Sequence, residues 1–292
     1  MKRILALDGG GVRGKFSFQM LTYISQSSQI PLTSTFDLVV GVSVGAIIGA
    51  IVSLGWLDSS IEHLNLFAQM DDMFRSQTEF GPFLEERYNG KGKTETLERI
   101  FKRLKLRDVK IPLVILCSTM GGHLRSFKSW DPEDQDLLIY NVLDATSAIP
   151  VVFPSVQIGS QLFIDGGVLA NKSCLMAWHL ARKKFGKTTE LKMLSVGTTS
   201  DCELKMDQEF AGHMGLMAWL AVGLYDITTS STDETMCDIV QFELGIRNFR
   251  RIVCSCGSIK LDDFSAHASD SLLGAAQACW RKSGTDILDF LS

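Results

Sequence analysis

The sequence has no surplus of basic residues, because its 292 residues include 29 Lys and Arg against 33 Asp and Glu, a formal net charge of −4. Nucleic-acid-binding proteins usually show a basic patch, and no such footprint is visible here. The chain also has only six prolines and lacks repeats and low-complexity segments. With 46% hydrophobic and 21% charged residues, its composition differs from that of disordered, collagen-like and coiled-coil proteins. We therefore expect a folded protein that binds no nucleic acid.

The seven cysteines and five histidines do not form a recognisable set of metal ligands. Cys254 and Cys256 form a C-x-C pair without a second pair at the spacing of zinc sites, and the histidines are isolated. An odd number of scattered cysteines also argues against a disulfide framework. Buried, reduced thiols are the preferred interpretation, and we expect no metal site.

One uncharged run is long enough to be tested as a membrane span. Residues 39–57 carry no charge, and a span needs about 20 apolar residues. Glycines and serines interrupt this run, however, and no Lys or Arg flanks it, whereas membrane spans usually have a basic bias on one side. A buried strand that turns into a buried helix gives the same hydropathy, and we adopt that interpretation. The apolar residues 4–7 are too short for a signal peptide, so we expect a cytoplasmic protein.

Hydrophobic periodicity predicts strands that alternate with helices. Such alternation is typical of a largely parallel sheet covered by helices on both faces, and one domain fits best. The more polar residues 61–107 are interpreted as a helical insertion or cap. The predicted strands are residues 2–8, 36–40, 112–118, 124–127, 161–164, 192–196 and 250–254, and the predicted helices are residues 15–27, 46–54, 137–147 and 173–185.

The first loop that can carry chemistry is Gly9-Gly10-Gly11-Val12-Arg13-Gly14, which fits G-x-G-x-x-G between a strand and a helix. A dinucleotide site also expects an acidic residue at the end of the second strand, but Asp37 lies near the start of that strand. A nucleotide-binding module therefore stays an alternative. In either case, unhindered backbone N–H groups near a helix N-terminus bind anionic oxygen, on a phosphate or on a tetrahedral intermediate.

The second loop is Gly41-Val42-Ser43-Val44-Gly45, which has the G-x-S-x-G pattern of a nucleophile elbow. In that motif the serine occupies a sharp turn between a strand and a helix, and the glycines prevent clashes as the chain reverses. The predicted strand and helix around residues 41–45 supply this context. We expect Ser43 Oγ to project into solvent at the sheet edge, with a serine in a tight buried turn as the alternative.

The third loop is Asp165-Gly166-Gly167, which follows the apolar residues 162–164. An aspartate at the C-terminal end of a strand lies where the sites of α/β proteins assemble, because the ends of parallel strands converge there. An aspartate before glycines is also common in ordinary turns. Ser43 and Asp165 would suffice for hydrolysis if the carboxylate took the serine proton and then activated a water. Nothing selects one histidine, so a Ser–His–Asp triad stays open.

In this order, the three loops resemble the motifs of the patatin-like phospholipase family. The family shows D-G-G-G-x-R-G, G-x-S-x-G and D-G-G or D-G-A, which stand here at residues 8–14, 41–45 and 165–167. Residues 145–150 (ATSAIP) are similar to the family's segment before the aspartate, and residues 194–198 (LSVGT) to a later strand. The resemblance runs from residue 1 to about residue 200 and is diffuse beyond it.

The resemblance implies a three-layer α/β/α sandwich with a mostly parallel sheet, and hydrolysis of acyl esters in membrane glycerophospholipids without metal or organic cofactor. Ser43 would be the nucleophile and Asp165 the general base of a Ser–Asp dyad. The N–H groups of Gly10 and Gly11 would form the oxyanion hole, with Arg13 supporting the loop. The remaining motif glycines are Gly9, Gly14, Gly41, Gly45, Gly166 and Gly167. One departure is Lys172, because family members often have Asn-Asn-Pro where this chain has Asn171-Lys172-Ser173.

Substrate entry and regulation rest on weaker patterns. Residues 212–225 are apolar and uncharged, which favours a core helix, with a lid that meets the bilayer or an acyl chain as the alternative. A phospholipid substrate implies transient peripheral contact of a cytoplasmic protein with the membrane. Some bacterial patatin-like proteins act as membrane-degrading effectors in antiphage signalling, so activation by a small ligand or partner, or through a homo-oligomer, is a further hypothesis.

Overall fold

The computed structural model describes residues 1–58, 88–198, 233–253 and 259–292. The strands in these residues are β1 (Lys2–Leu7), β2 (Leu38–Val42), β3 (Leu113–Thr119), β4 (Leu124–Lys128), β5 (Val156–Ile158), β6 (Gln161–Asp165), β7 (Leu191–Val196) and β8 (Phe249–Ile252). They form one eight-stranded sheet whose hydrogen-bonded neighbours follow β5-β6-β3-β2-β1-β7-β8, with β6 and β2 end to end on one edge of β3 and β4 on its other edge. Neighbours among β3, β2, β1, β7 and β8 are parallel, whereas β4 and β6 are antiparallel to β3, and β5 to β6.

Helices cover both faces of this sheet. The helices are α1 (Gly14–Ser27), α2 (Leu32–Thr35), α3 (Val44–Ser53), α4 (Lys91–Phe101), α5 (Ile139–Thr146), α6 (Gly167–Ala170), α7 (Cys174–Phe185), α8 (Asp233–Leu244) and α9 (Ala266–Leu291). Successive residues of a strand point to opposite faces, so Leu5 and Leu7 pack on the side of α1, α3, α5 and α9, while Ile4 and Ala6 pack on the side of α7 and α8. The predicted three-layer sandwich is therefore confirmed.

The uncharged run 39–57 is the strand β2 followed by the helix α3, as predicted. Every residue of both elements is buried, because β2 is central in the sheet and α3 packs between the sheet and α1. Hydropathy alone does not separate such a pair from a membrane span. Among the helices that the structure describes, none is long and apolar enough to cross a bilayer.

Some elements were not predicted, and some predictions fall outside the described residues. The short strand β5 and the helices α2, α6, α8 and α9 were missed. Helix α9 packs along α1, where Trp280 stacks on Tyr23 at 5.6 Å between ring centroids. The described end of the expected insertion contains α4, whose Leu97 and Phe101 are buried in the core. Residues 61–87 and 212–225 lie outside the described residues.

Candidate active site

Ser43 and Asp165 meet because β2 and β6 end beside each other on the same edge of β3. β4 pairs with residues 114–118 along one edge of β3. β2 pairs with residues 113–116 and β6 with residues 117–119, so these two strands share the other edge. Val42 of β2 pairs with Leu116, and Asp165 of β6 pairs with the next residue, Cys117. The expectation that parallel strands bring the aspartate to the site is wrong: β6 is antiparallel to β3 and approaches β2 head-on.

Ser43 has the backbone geometry of a nucleophile elbow between β2 and α3. Its φ of 53° and ψ of −130° are unusual for a residue other than glycine, and such strain costs about 1–3 kcal/mol. The turn is tight because the start of α3 packs closely against the end of β1. A Cβ on Gly45 would lie 2.5 Å from the carbonyl oxygens of Leu7 and Asp8. Glycine at residue 45 is therefore a steric requirement of the elbow.

The Ser43 hydroxyl donates a hydrogen bond directly to Asp165. The distance from Oγ to Oδ2 is 2.6 Å, and the other carboxylate oxygen, Oδ1, accepts the N–H of Gly167 at 2.6 Å. A direct bond leaves no place for an imidazole between the two groups. The expected exposure of the hydroxyl is wrong, since Ser43 is 3% and Asp165 0% exposed. The pair is thus a desolvated serine and carboxylate, poised for proton transfer from Oγ.

The glycine-rich loop lies against the Ser43 turn. A Cβ built on Gly9 would lie 3.3 Å from the Cβ of Ser43. Thr198, after β7, fixes the loop by donating from Oγ1 to the carbonyl of Gly9 at 2.9 Å. On the other side Arg13, which is buried, donates from Nε to the carbonyl of Gly10 at 3.2 Å. The loop is therefore held by side chains on both sides of the glycines.

Two N–H groups of this loop are available for an anionic oxygen. The N–H groups of Gly9, Val12 and Arg13 donate to backbone carbonyls. Those of Gly10 and Gly11 have no acceptor among the residues that the structure describes, and they start a short helical turn that leads into α1. Gly11 has φ +56°, and a Cβ there would collide with the carbonyl oxygen of Leu261. The loop thus offers backbone donors at a helix N-terminus beside the Ser43 turn.

Comparison with known proteins identifies the family. Residues 5–178 match the patatin-like phospholipase family. The chain belongs to this family. The predicted class of enzyme, a lipid ester hydrolase, is confirmed with it.

Relatives of this patatin-like phospholipase are bacterial and mammalian. The chain is 26% identical over 268 residues to the cGAMP-activated phospholipase of Pseudomonas aeruginosa, covering 85% of this chain and 77% of that protein. It is 28% identical over 265 residues to the protein of the same name from Vibrio cholerae, covering 76% and 71%. It is 30% identical over 201 residues to the 85/88 kDa calcium-independent phospholipase A2 of Rattus norvegicus, covering 60% of this chain and only 23% of that one.

A solved structure shows the same fold. VipD from Legionella pneumophila superposes with a TM-score of 0.55 at 12% sequence identity, covering 96% of this chain and 67% of that one. At this level of identity the likeness concerns the fold alone.

Behind its glycine loop, this patatin-like phospholipase buries a charge network that the sequence did not reveal. Asp8, 2% exposed, forms an ion pair with Arg251 of β8, which also donates from Nη1 to Ser195 Oγ at 2.7 Å. The backbone N–H of Ser173 donates to the same carboxylate at 3.1 Å. Burial disfavours the guanidinium charge, but Asp8, Cys237 and Cys174 together outweigh this effect, so the pKa of Arg251 is raised. No motif marks Arg251, because it lies where the family resemblance is diffuse.

Lys172, the departure from the family pattern, points towards this network. Its Nζ lies 4.0 Å from Asp8 Oδ2, and its side chain is 14% exposed. The lysine adds a second positive charge beside the carboxylate that precedes the glycine loop.

Arg251→Met is expected to destabilise the protein by about 3 kcal/mol, because it leaves the Asp8 carboxylate buried without its guanidinium partner. Lys172 Nζ, 4.0 Å from Asp8, keeps the loss at the lower end of the range for broken buried pairs. Urea denaturation measures the change in the free energy of unfolding. The matched control is Arg250→Met on the exposed side of the same strand. Equal stability of the two variants would show that the Asp8–Arg251 pair contributes nothing.

Proposed function

We propose that this chain, as a single catalytic domain over residues 1–292, hydrolyses acyl esters of membrane glycerophospholipids through an acyl-Ser43 intermediate. The observation that carries the proposal is the 2.6 Å hydrogen bond from Ser43 Oγ to Asp165 Oδ2 at a strained elbow. The two available N–H groups of the adjacent glycine loop support it. The family match supports the reaction class, ester hydrolysis in a lipid.

In the first half of the proposed reaction, Ser43 is acylated. Asp165 takes the proton of the Ser43 hydroxyl as Oγ attacks the ester carbonyl carbon. The tetrahedral oxyanion accepts hydrogen bonds from the N–H groups of Gly10 and Gly11, and Arg13 keeps that loop in place. The bond to the glycerol oxygen then breaks, and the departing alkoxide takes the proton from Asp165. A lysophospholipid leaves and the acyl chain stays on Ser43.

In the second half, water replaces the glycerol oxygen. Asp165 accepts a proton from the water as its oxygen attacks the acyl carbonyl, and the oxyanion again lies at the glycine loop. Collapse of this intermediate breaks the bond to Oγ, which recovers the proton from Asp165. Fatty acid is released and the dyad is restored. The scheme uses no metal and no organic cofactor.

The substrate lies in a bilayer, so the proposal includes transient membrane contact of a cytoplasmic protein. Val168 and Leu169, directly after Asp165-Gly166-Gly167, are 40% and 42% exposed. Apolar side chains next to the dyad are suited to contact with acyl chains. Exposed apolar surface of this kind is typical of lipid and membrane interaction sites.

The test is incubation with phosphatidylcholine–phosphatidylglycerol vesicles, with lipid products identified by mass spectrometry. We expect free fatty acid and lysophospholipid in equal amounts at early times. A fluorophosphonate probe should label Ser43, located by peptide mass spectrometry. Labelling of a different serine, or no fatty acid release from any acyl lipid, would contradict the proposal. Saturable binding of NAD or ATP in calorimetry would favour the nucleotide-binding alternative.

A second candidate function is hydrolysis that a cyclic nucleotide activates. The two bacterial relatives named cGAMP-activated phospholipases align with 85% and 76% of this chain, well beyond residues 5–178. We expect cGAMP to raise the initial rate of fatty acid release and, if activation involves a homo-oligomer, to increase light scattering. An unchanged rate at millimolar cGAMP would rule out this mode of regulation.

A further inference from the structure

Thr146, the last residue of α5, contacts both turns that carry the dyad. Its Oγ1 accepts the backbone N–H of Ser43 at 3.0 Å, and its carbonyl accepts the N–H of Gly166 at 3.2 Å. The Thr146 hydroxyl proton is donated to the carbonyl of Leu116 on β3. The residue is completely buried. Thr146 thus joins the elbow, the aspartate turn and the central strand.

We propose that Thr146 is a positioning residue, whose hydroxyl keeps Ser43 Oγ within proton-transfer distance of Asp165. The inference rests on the proposed function of the Ser43–Asp165 pair. Ser43 has φ 53°, a conformation that persists only where the surroundings hold it. The hydrogen bond from its N–H to Thr146 is one such restraint. Without it the turn can relax and move Oγ, and a shift of about 1 Å costs about 10²-fold in rate.

The segment that follows Thr146 holds the other half of the dyad. The carbonyl of Ala148 accepts the backbone N–H of Asp165 at 2.9 Å. Thr146 and Ala148 therefore bond to the backbone of both dyad turns. In the sequence they belong to the segment 145–150, which resembled the family without any assigned role.

Helix α5 is itself anchored just before Thr146, so the end of the helix that carries Thr146 is fixed. Lys93 of α4, 2% exposed, donates to the carbonyl of Asp144 at 2.7 Å and lies 2.8 Å from its Oδ1. Thr94 donates to Oδ2 of the same carboxylate at 2.7 Å. Burial lowers the pKa of Lys93, and the Asp144 carboxylate opposes this effect. Because a buried ion pair fixes this end of α5, one hydroxyl at the end of the helix can set the position of the elbow.

The test compares Thr146→Val, which keeps the shape and removes the hydroxyl, with Thr146→Ser, which keeps the hydroxyl. The matched control is Ser147→Ala, because among the described residues the buried Ser147 hydroxyl bonds to two carbonyls of α5, those of Leu143 at 2.7 Å and Asp144 at 3.4 Å. For each variant, kcat and KM are measured with a short-chain nitrophenyl ester. The rate of fluorophosphonate labelling reports on Ser43 alone, and thermal unfolding reports on the fold.

We expect Thr146→Val to lower kcat and the labelling rate by about 10²-fold with KM within about twofold of the wild type. Thr146→Ser should recover most of the activity, and Ser147→Ala should leave kcat within about twofold. The proposal is overturned if Thr146→Val keeps the wild-type kcat, or if Thr146→Ser or Ser147→Ala loses as much as Thr146→Val. If Thr146→Val does not fold, Thr146→Ala supplies the same comparison.

Failure of this inference is distinguishable from failure of the proposed function. If Ser43→Ala is inactive and Thr146→Val is fully active, only the positioning role of Thr146 is wrong. If Ser43→Ala is fully active, the dyad itself is wrong, whatever Thr146→Val does.

Discussion

Ser43→Ala is expected to lower kcat for ester hydrolysis by about 10⁶-fold. The variant removes the single atom that attacks the carbonyl, while the glycine loop still binds an oxyanion and leaves a small residual rate. The fold should persist, because Ser43 bonds to its neighbours through the backbone as well: its N–H donates to Thr146, and its carbonyl accepts from Ala46 and Ile47. Alanine at residue 43 keeps those bonds.

The measurement is the initial rate of fatty acid release from vesicles, with far-UV circular dichroism as the check on folding. Ser53→Ala is the matched control, since Ser53 is a fully buried serine at the other end of α3. The control should keep wild-type kcat. Full activity of Ser43→Ala would refute the acyl-serine intermediate.

Asp165→Asn is expected to lower kcat by about 10⁴–10⁶-fold. The amide has the shape of the carboxylate but cannot take the serine proton. Its oxygen can still accept the Gly167 N–H, as Oδ1 does at 2.6 Å. The amide nitrogen then faces Ser43 Oγ as a donor, which reverses the hydrogen bond that deprotonates the hydroxyl. The effect on kcat should therefore greatly exceed any effect on substrate affinity.

Fluorophosphonate labelling checks this result independently of the lipid, because the probe reacts with Ser43 without a leaving glycerol. Labelling should slow in parallel with kcat. Asp37→Asn is the control, since Asp37 lies before the other end of β2 in a partly exposed pair with Lys2. Asp165→Asn with wild-type labelling would mean that another base activates Ser43.

Alanine variants of the five histidines test the triad that the sequence left open. The direct 2.6 Å bond between Ser43 and Asp165 predicts that each variant keeps kcat within about threefold of the wild type. One histidine variant as inactive as Ser43→Ala would establish a triad instead.

Local chemistry explains why the sequence could select Ser43 as the candidate nucleophile. A serine between glycines after a buried strand has few structural solutions, because the strand-to-helix turn excludes side chains at residues 41 and 45. The glycines of residues 9–11 likewise leave backbone N–H groups unhindered. Hydrophobic periodicity then located most strands and the helices α1, α3, α5 and α7.

These patterns did not predict the direction of a strand in the sheet. Periodicity shows that residues 161–165 form a strand but not which way it runs, because the same residues alternate in a parallel and an antiparallel strand. Pairing with β3 decided that Asp165 approaches Ser43 head-on. The sequence therefore predicted the elbow at Ser43, whereas only the strand pairing in the sheet showed from which direction Asp165 reaches it.

The sequence by itself determined the family and the layered fold, and it selected Ser43 and Asp165 as the candidate dyad, because each depends on a local motif or period. Only the tertiary structure showed which side chains hold the candidate dyad and the glycine loop in place. Arg251 pairs with Asp8 across 243 positions of the chain, and Thr146 reaches Ser43 across 103. Contacts at such separations depend on how the whole chain packs, and no local pattern encodes them. The sequence also predicted that the uncharged run 39–57 is a buried strand followed by a buried helix, and the sheet and helices that bury β2 and α3 are seen only in the tertiary structure.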